Sequence, residues 1–267
     1  MIRQPAAAGS FYPRDRDELL TQLARIVPPR RRPEASLGLI SPHAGYIYSG
    51  AIAAELFADT ELPRRIVLLG PNHHGVGEQA AICCEGSWRT PLGEAPIAAD
   101  LAAYLMQRCP LLRPDQLAHR FEHSIEVQIP LLQYLQPQLR IVPICLGAGR
   151  LPDWLGLGTD LGRALNDWPH EVLIVASSDM NHFLGAAETR RRDQLAIDAA
   201  LALDPARLYR TVRANDISMC GVVPAVVMLQ AVLERGATQC RLVRYGHSGD
   251  VSGDLSRVVG YAALRVR

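Results

Sequence analysis

The sequence has no apolar run long enough to cross a membrane. Nowhere do about 18 consecutive residues stay apolar, and the first residues, MIRQPAAAGSFYP, lack the apolar segment of a secretion signal. Neither sign of charge dominates, because 28 Lys and Arg residues stand against 27 Asp and Glu residues, for a net charge of +1. A protein without a strong electrostatic field has no general attraction for nucleic acid or anionic membranes. We therefore expect a cytoplasmic protein that binds neither, and we predict that the arginine run at 30–32, set among prolines, is a solvated loop.

Several catalytic and cofactor motifs are also missing. The six cysteines include no C-x-x-C pair, and Cys83 and Cys84 are adjacent, which is not typical of a disulfide framework. Reduced thiols are therefore expected, and any of them is free to bind a metal ion. No glycine-rich nucleotide-binding motif follows a predicted strand, and no serine lies in a G-x-S-x-G context. These absences argue against nucleotide binding and serine-hydrolase chemistry.

The pattern of apolar residues predicts one α/β domain spanning residues 1–267. Short apolar, β-branched runs alternate with longer helical patterns, which indicates a mostly parallel central sheet with helices on both faces. Two strand-like runs near the C-terminus, at 241–246 and after Ser256, have only a loop between them and predict an antiparallel pair at one edge. The predicted buried strands are 37–40, 66–70, a run from 141 and 172–177, and the predicted helices are 17–26, 50–57, 99–108, 124–134, 151–165, 187–202 and 222–234.

Residues with metal-binding side chains follow three of the predicted strands. In an open parallel sheet the binding crevice lies beyond the carboxyl ends of the strands, and His43, His73 and the segment from Asp179 to His182 occupy such positions. Cys220 comes just before a predicted helix, whose N-terminus favours a thiolate. Imidazole nitrogens and one anionic ligand on one side of an ion leave positions open for a substrate and O₂. The sequence therefore predicts a mononuclear metal site.

Six segments lie in consistent order along nearly the whole chain: AGSFYP at 8–13, SPHAGYIYSG at 41–50, GPNHHG at 70–75, EHSIEVQIP at 122–130, SSDMNH at 177–182 and MCG at 219–221. Together they resemble those of the Memo family, called AmmeMemoRadiSam system protein B in bacteria and archaea. The resemblance implies the fold of class III extradiol dioxygenases of the LigB type, which hold non-haem Fe(II) and open catechol rings. Matched residue by residue, it places the family's metal ligands on His43, His73 and Cys220, with Asp179 and His182 as further site residues.

The resemblance also sets expectations for the cofactor and the reaction. One transition-metal ion is expected, with Fe(II) favoured and Cu or Zn as alternatives, because a thiolate is softer than the carboxylate of the dioxygenases. This substitution means that ring cleavage does not carry over directly. The expected activity is that of a metal-dependent oxidoreductase acting on a small aromatic or otherwise unsaturated substrate.

Within that reaction His182 is the predicted general acid or base, since a histidine with a near-neutral pKa can take up and return a proton. Asp179 would orient it or, alternatively, bind the metal directly. Tyr46, His74 and His123 are candidate pocket residues.

Two other functions are weighed. Eukaryotic Memo proteins resemble signalling adaptors, so a non-catalytic protein that binds a metal or a peptide is the main alternative. The bacterial family name implies association with an AMMECR1-like protein and a radical-SAM protein. Separately, His119, Glu122 and His123 spell H-x-x-E-H, the inverted zincin signature of a zinc metallopeptidase.

Overall fold

The computed structural model describes residues 1–29 and 32–267. The arginine run at 30–32, predicted to be a loop, therefore lies largely outside the described residues. Four parallel strands form the centre of the sheet, in the order β2, β9, β3, β8, and the flanking strands make the sheet a mixed one. The strands are β1 (Ile2–Arg3), β2 (Gly38–Ser41), β3 (Arg65–Pro71), β4 (Ala80–Ile82), β5 (Ser87–Thr90), β6 (Gly93–Pro96), β7 (Arg113–Pro114), β8 (Arg140–Leu146), β9 (Val172–Ser177), β10 (His182–Leu184), β11 (Cys240–His247) and β12 (Val258–Val266).

Helices cover the sheet, as the alternation of strand and helix patterns predicted. Every residue of β2 and β9 is buried, which requires cover on both faces of these strands. The α/β fold is thereby confirmed. The helices are α1 (Arg16–Ile26), α2 (Ala51–Ala58), α3 (Ala99–Arg108), α4 (Gln128–Leu135), α5 (Leu151–Asp167), α6 (Ala186–Leu201), α7 (Pro205–Ala214), α8 (Val222–Glu234) and the single turn α9 (Gly249–Ser252), and a π-helical turn at Tyr46–Gly50 precedes α2.

The C-terminal strands β11 and β12 form the predicted antiparallel pair. Strand β12 is nevertheless not an edge strand, since its carboxyl end pairs with β2 and its first residues pair with β10. It therefore joins the parallel centre to the segment that follows β9. No helix in the described part of the chain is long and apolar enough to span a membrane.

A second, small sheet was not predicted. It has three strands in the order β1, β5, β6, with β1 parallel to β5 and β5 antiparallel to β6. Arg3 of β1 reaches from this sheet to the carbonyls of His119 and Glu122 and to the carboxylate of Glu126. The N-terminal segment is thereby fastened to residues 119–126, which border the candidate site.

Candidate metal centre

The carboxyl ends of three adjacent strands bring the first site residues together. Strand β9 lies between β2 and β3, so all three end at the same edge of the sheet. His43 and His73 each come two residues after their strand, and their ring centroids lie 5.4 Å apart. Asp179, two residues after β9, accepts a hydrogen bond of 2.8 Å from the backbone N–H of His43. The predicted convergence of these segments is thus present in the structure.

A third histidine completes the cluster. One ring nitrogen from each of His43, His73 and His123 lies within 4.8 Å of the others. The ring of His123 stacks on that of His73 with a centroid distance of 4.7 Å, and meets the ring of His43 edge-on at 5.4 Å. The sequence had placed His123 among the pocket residues of this site and in the alternative H-x-x-E-H signature, whereas the structure brings it beside His43 and His73 as a candidate ligand.

Gly70 allows the segment that carries His123 to come this close. A Cβ atom at Gly70 would lie 2.5 Å from Cγ1 of Ile125 and 2.6 Å from Oγ of Ser124. Any residue with a side chain at position 70 would therefore force Ser124 and Ile125 to shift. The glycine was visible in the sequence, but its packing partner was not.

The ring of His43 is held in one tautomer by buried polar groups. Its Nδ1 lies 2.9 Å from Oγ of Ser177, and that hydroxyl donates its only hydrogen to the carbonyl of Ser124 at 2.7 Å. The same oxygen also accepts from Nε2 of Gln128. Ser177 can therefore only accept from His43, so Nδ1 carries the proton and Nε2 keeps its lone pair.

The ring of His73 is held by a buried carboxylate. Glu122 accepts from Nδ1 of His73 at 2.9 Å, from its backbone N–H at 2.7 Å and from the backbone N–H of Ser124 at 2.8 Å. Burial alone would raise the pKa of Glu122, but these hydrogen bonds, first among them the one from the His73 ring, hold it well below its usual range. A carboxylate that only accepts requires a proton on Nδ1, so the lone pair of the neutral ring lies on Nε2. This is the arrangement by which proteins orient metal-binding histidines.

Burial also keeps two of the three rings neutral. It holds the pKa of His43 well below its ordinary value, with a further contribution from the neighbouring rings of His123 and His73. Burial likewise lowers the pKa of His123 to about 4. Since only a neutral imidazole binds a metal ion, these rings do not have to lose a proton at neutral pH.

Cys220 borders the cluster on the side of His43. Its Sγ lies 3.2 Å from Nε2 of His43 and accepts from the backbone N–H of Asp179 at 3.3 Å. Gly221 permits this approach, because a Cβ there would lie 2.2 Å from the carbonyl oxygen of Ser177. The thiolate expected from the helix N-terminus is corrected: burial, followed by the charge of Asp179, raises the pKa of Cys220, so the residue is a thiol where protein groups alone surround it. A metal ion would have to displace that proton.

Asp179 is buried behind His43. Burial raises its pKa to about 7, against the opposing effect of the backbone N–H groups of His43 and Ala44. Its hydrogen bond to the backbone of His43 positions that ligand, and its role as a direct metal ligand stays a prediction.

His182 adjoins Ser218, which lies two residues before Cys220. The backbone N–H of His182 donates to Oγ of Ser218 at 2.7 Å, and Nδ1 donates to the Ser218 carbonyl at 2.8 Å. Burial lowers the pKa of His182. With Nδ1 protonated, Nε2 carries the lone pair and can accept a proton, as a general base requires.

Two predicted pocket residues serve other purposes. Tyr46 is buried in the core, where its hydroxyl donates to the carbonyl of Val127 at 2.7 Å. The ring of His74 is turned toward the carbonyl of Phe121, 3.0 Å from its Nε2. Phe11, which the sequence reasoning did not single out, stacks on His123 with a centroid distance of 4.5 Å. Its only sequence signal was membership of the AGSFYP segment.

The structure does not support the metallopeptidase signature. Residues 119–123 are not helical, and α4 begins only at Gln128, so His119 and His123 do not share a helix. The ring of His119 is buried edge-on against Trp88 at 5.5 Å and is not part of the histidine cluster. Glu122, which would activate water in such an enzyme, instead holds His73.

The donor set of the cluster fits a transition-metal ion. Two imidazole nitrogens on one ion lie on the order of 3 Å apart, so small side-chain movements suffice to bring the three nitrogens, now within 4.8 Å, around an ion. Imidazole suits Fe, Cu and Zn, and a thiolate from Cys220 would shift the preference toward softer ions. An α/β protein with a histidine cluster that could hold a metal ion, at the carboxyl edge of its sheet, is thus the class that the fold and site define.

Comparison with known proteins identifies the family. The family described as Memo-like protein matches residues 3–265. Relatives named as MEMO1 family proteins include one of Aquifex aeolicus, 40% identical over 98% of both chains, and one of Methanopyrus kandleri, 37% identical over 100% of this chain and 99% of that one. The chain belongs to the Memo family, as its six segments indicated.

One solved structure supports the fold. The crystal structure of the uncharacterized protein JW3007 from Escherichia coli K12 matches with a TM-score of 0.59 at 14% identity, covering 86% of this chain and 99% of that one. The likeness concerns the α/β fold alone and agrees with the fold that the family resemblance implied.

Proposed function

We propose that this protein is a metal-dependent oxidoreductase with a single iron or copper ion, acting on a small aromatic or otherwise unsaturated substrate. The observation that carries the proposal is the convergence of His43, His73 and His123, whose nitrogens lie within 4.8 Å of one another. Cys220, 3.2 Å from His43, is proposed as an additional ligand. Three ligands on one side of an ion leave coordination positions open for a substrate and O₂. Bringing these two together is the chemistry that such an ion would supply.

The chain's own residues would position the ligands and move protons. Ser177 and Glu122 fix the rings of His43 and His73 with Nδ1 protonated. His182 is proposed to take a proton from a substrate hydroxyl at its Nε2 and later return it, because its Nδ1 is committed to the Ser218 carbonyl. Asp179 is proposed to hold the His43 segment in place through the backbone N–H.

Metal analysis followed by O₂ uptake tests this function. Protein purified without O₂ and supplied with Fe(II), Cu(I) or Zn(II) should retain one equivalent of its preferred metal, and His73→Ala should lose it. His170→Ala is the matched control, since His170 is exposed and contacts only the ring of Trp168 among the described residues. Cys220→Ser shows whether the sulfur contributes to affinity. Metal binding without O₂ consumption for any candidate substrate would refute the oxidoreductase.

A further inference from the structure

A pocket of about 320 Å³ opens beside the histidine cluster, at the carboxyl ends of β3 and β8. Its walls come from these two strand ends, from α7, from the segment that leads to Cys220 and from the first turn of α8. Its volume is at the lower end of the range of roughly 300–1,000 Å³ for small-molecule pockets. Only a compact molecule fits there.

The inner end of this pocket contacts the candidate site. Cys220 forms part of its wall, and so does Asn72, the residue immediately before His73. Ser218, another wall residue, accepts the hydrogen bond from Nδ1 of His182. The pocket therefore lies next to a proposed ligand, Cys220, and next to Ser218, the partner of the proposed base, although the three clustered histidines do not line it.

The lining of the pocket contains one formal charge. Arg213 of α7 is that residue, and none of the described residues that line the pocket is a carboxylate. Its guanidinium lies 5.3 Å from the ring centroid of Tyr209 and, within residues 1–29 and 32–267, forms no ion pair. Leu146, Val212 and Val223 also line the pocket, but polar atoms make up most of its surface. A guanidinium binds a carboxylate with paired hydrogen bonds, so the cation of Arg213 suits a ligand with one anionic group.

We propose that this pocket binds the substrate, and that the substrate is a compact unsaturated molecule with one carboxylate, which Arg213 binds. The proposal rests on the proposed function and narrows its substrate class. Arg213 acts in binding and specificity and takes no part in the chemistry.

A matched pair of ligands tests the role of the carboxylate. Catechol and 3,4-dihydroxybenzoate share the ring and both hydroxyls and differ only in the carboxylate. Their affinities are measured by calorimetry for metal-free protein and for protein loaded with Zn(II), which is redox-inert. We expect the wild type to bind the carboxylated compound about tenfold more tightly. This factor is the contribution of one charged hydrogen bond, reduced because Arg213 is exposed to solvent. The preference should shrink as salt is added.

Variants of α7 locate the effect. Arg213→Gln should abolish the preference for the carboxylate and leave catechol binding unchanged, while Arg213→Lys should retain part of it. Arg207→Gln is the control, because Arg207 is exposed on the same helix and does not line the pocket.

Three results would overturn the proposal: equal affinities of the wild type for the two compounds, no binding of either, or a preference that persists in Arg213→Gln. Failure of the proposed function is separate. It would appear as absence of metal retention or O₂ uptake, while the preference for the carboxylate, measured in metal-free protein as well, would remain.

Discussion

Glu122→Gln is predicted to weaken metal binding although the substitution hardly changes the size of the side chain. Within the described residues, the Glu122 carboxylate accepts hydrogen bonds from three N–H groups: the ring and backbone of His73 and the backbone of Ser124. A glutamine has one acceptor oxygen and one donor NH₂ group. If the oxygen keeps its two contacts at Oε1, the NH₂ group faces the backbone N–H of His73, and one donor loses its acceptor.

The structure sets the size of the effect. One N–H without a partner in a buried setting costs about 1–3 kcal/mol of stability. Loss of a carboxylate that orients a metal-binding histidine typically lowers metal affinity by about 10–100-fold. Glu122 is fully buried, so solvent screening does not reduce either figure. We therefore expect a folded variant whose dissociation constant for the metal rises by at least about tenfold.

Competition against a chromophoric chelator, under anaerobic conditions, measures that constant. Glu126→Gln is the matched control, because Glu126 is equally buried and accepts from Ala6, Ala7, Tyr12 and Arg3, with no hydrogen bond to the histidines. The control should lose stability and keep its metal affinity. If Glu122→Gln stayed folded and bound metal as the wild type does, Glu122 would not be what orients His73.

Three further predictions concern stability and the ligand set. Burial raises the pKa of Asp193 from 3.8 to about 6, so the protonated carboxyl stabilises the fold fully below pH 4. This contribution, about 3 kcal/mol in total, is lost as the pH rises to 6. Urea unfolding should show a smaller loss of unfolding free energy over this pH range for Asp193→Asn than for the wild type, and equal losses would contradict the raised pKa. Gly221→Ala should lower the free energy of unfolding by an amount on the order of 1–3 kcal/mol, because the Cβ of the alanine would lie 2.2 Å from the Ser177 carbonyl oxygen. An unchanged melting temperature would contradict this packing. His123→Ala should lower metal affinity while His74→Ala, on the adjoining loop, should not, and equal affinities of the two variants in chelator competition would remove His123 from the ligand set.

Long buried elements could be predicted closely from the sequence. The strand at 172–177 and the helices at 99–108 and 222–234 have the predicted bounds. The apolar patterns of the strand and of the second helix continue up to a polar or glycine residue at each end. The two-residue strands β1 and β7 carry no periodic signal and were missed. Helix α7 was missed as well, although Asp204 caps it and Pro205 begins it, a recognisable start signal.

Helix α4 shows how tertiary contacts override a pattern. The apolar spacing from Ser124 onward predicts a helix over 124–134, but α4 begins at Gln128. The backbone N–H of Ser124 bonds the Glu122 carboxylate, and that of Val127 bonds the carbonyl of His123 in a preceding turn. Contacts with Glu122 and His123 therefore determine the conformation of residues 124–127, and no local sequence pattern reveals such contacts.

The site itself was only partly predictable. His43 and His73 follow from their positions after buried strands, since topology alone brings such residues together. His123 depends on the contact between Gly70 and Ile125, which joins segments far apart in the sequence. The protonation state of Cys220 was predicted wrongly, because the helix N-terminus is a weak effect and burial a strong one, and burial could not be judged before the fold was known.

Hydrogen-bond accounting around the cluster gives a physical reason for a cation at its centre. In the neutral rings, His43 and His73 commit Nδ1–H to Ser177 and Glu122, so both rings keep their lone pairs on Nε2. His123, whose ring burial keeps neutral, brings a third imidazole to the same place. Lone pairs that converge repel one another unless a donor or a cation lies between them, and the thiol of Cys220 meets only the one on His43. A metal ion at this position would accept all of them at once, so the buried serine and glutamate that hold the rings also orient them for metal binding.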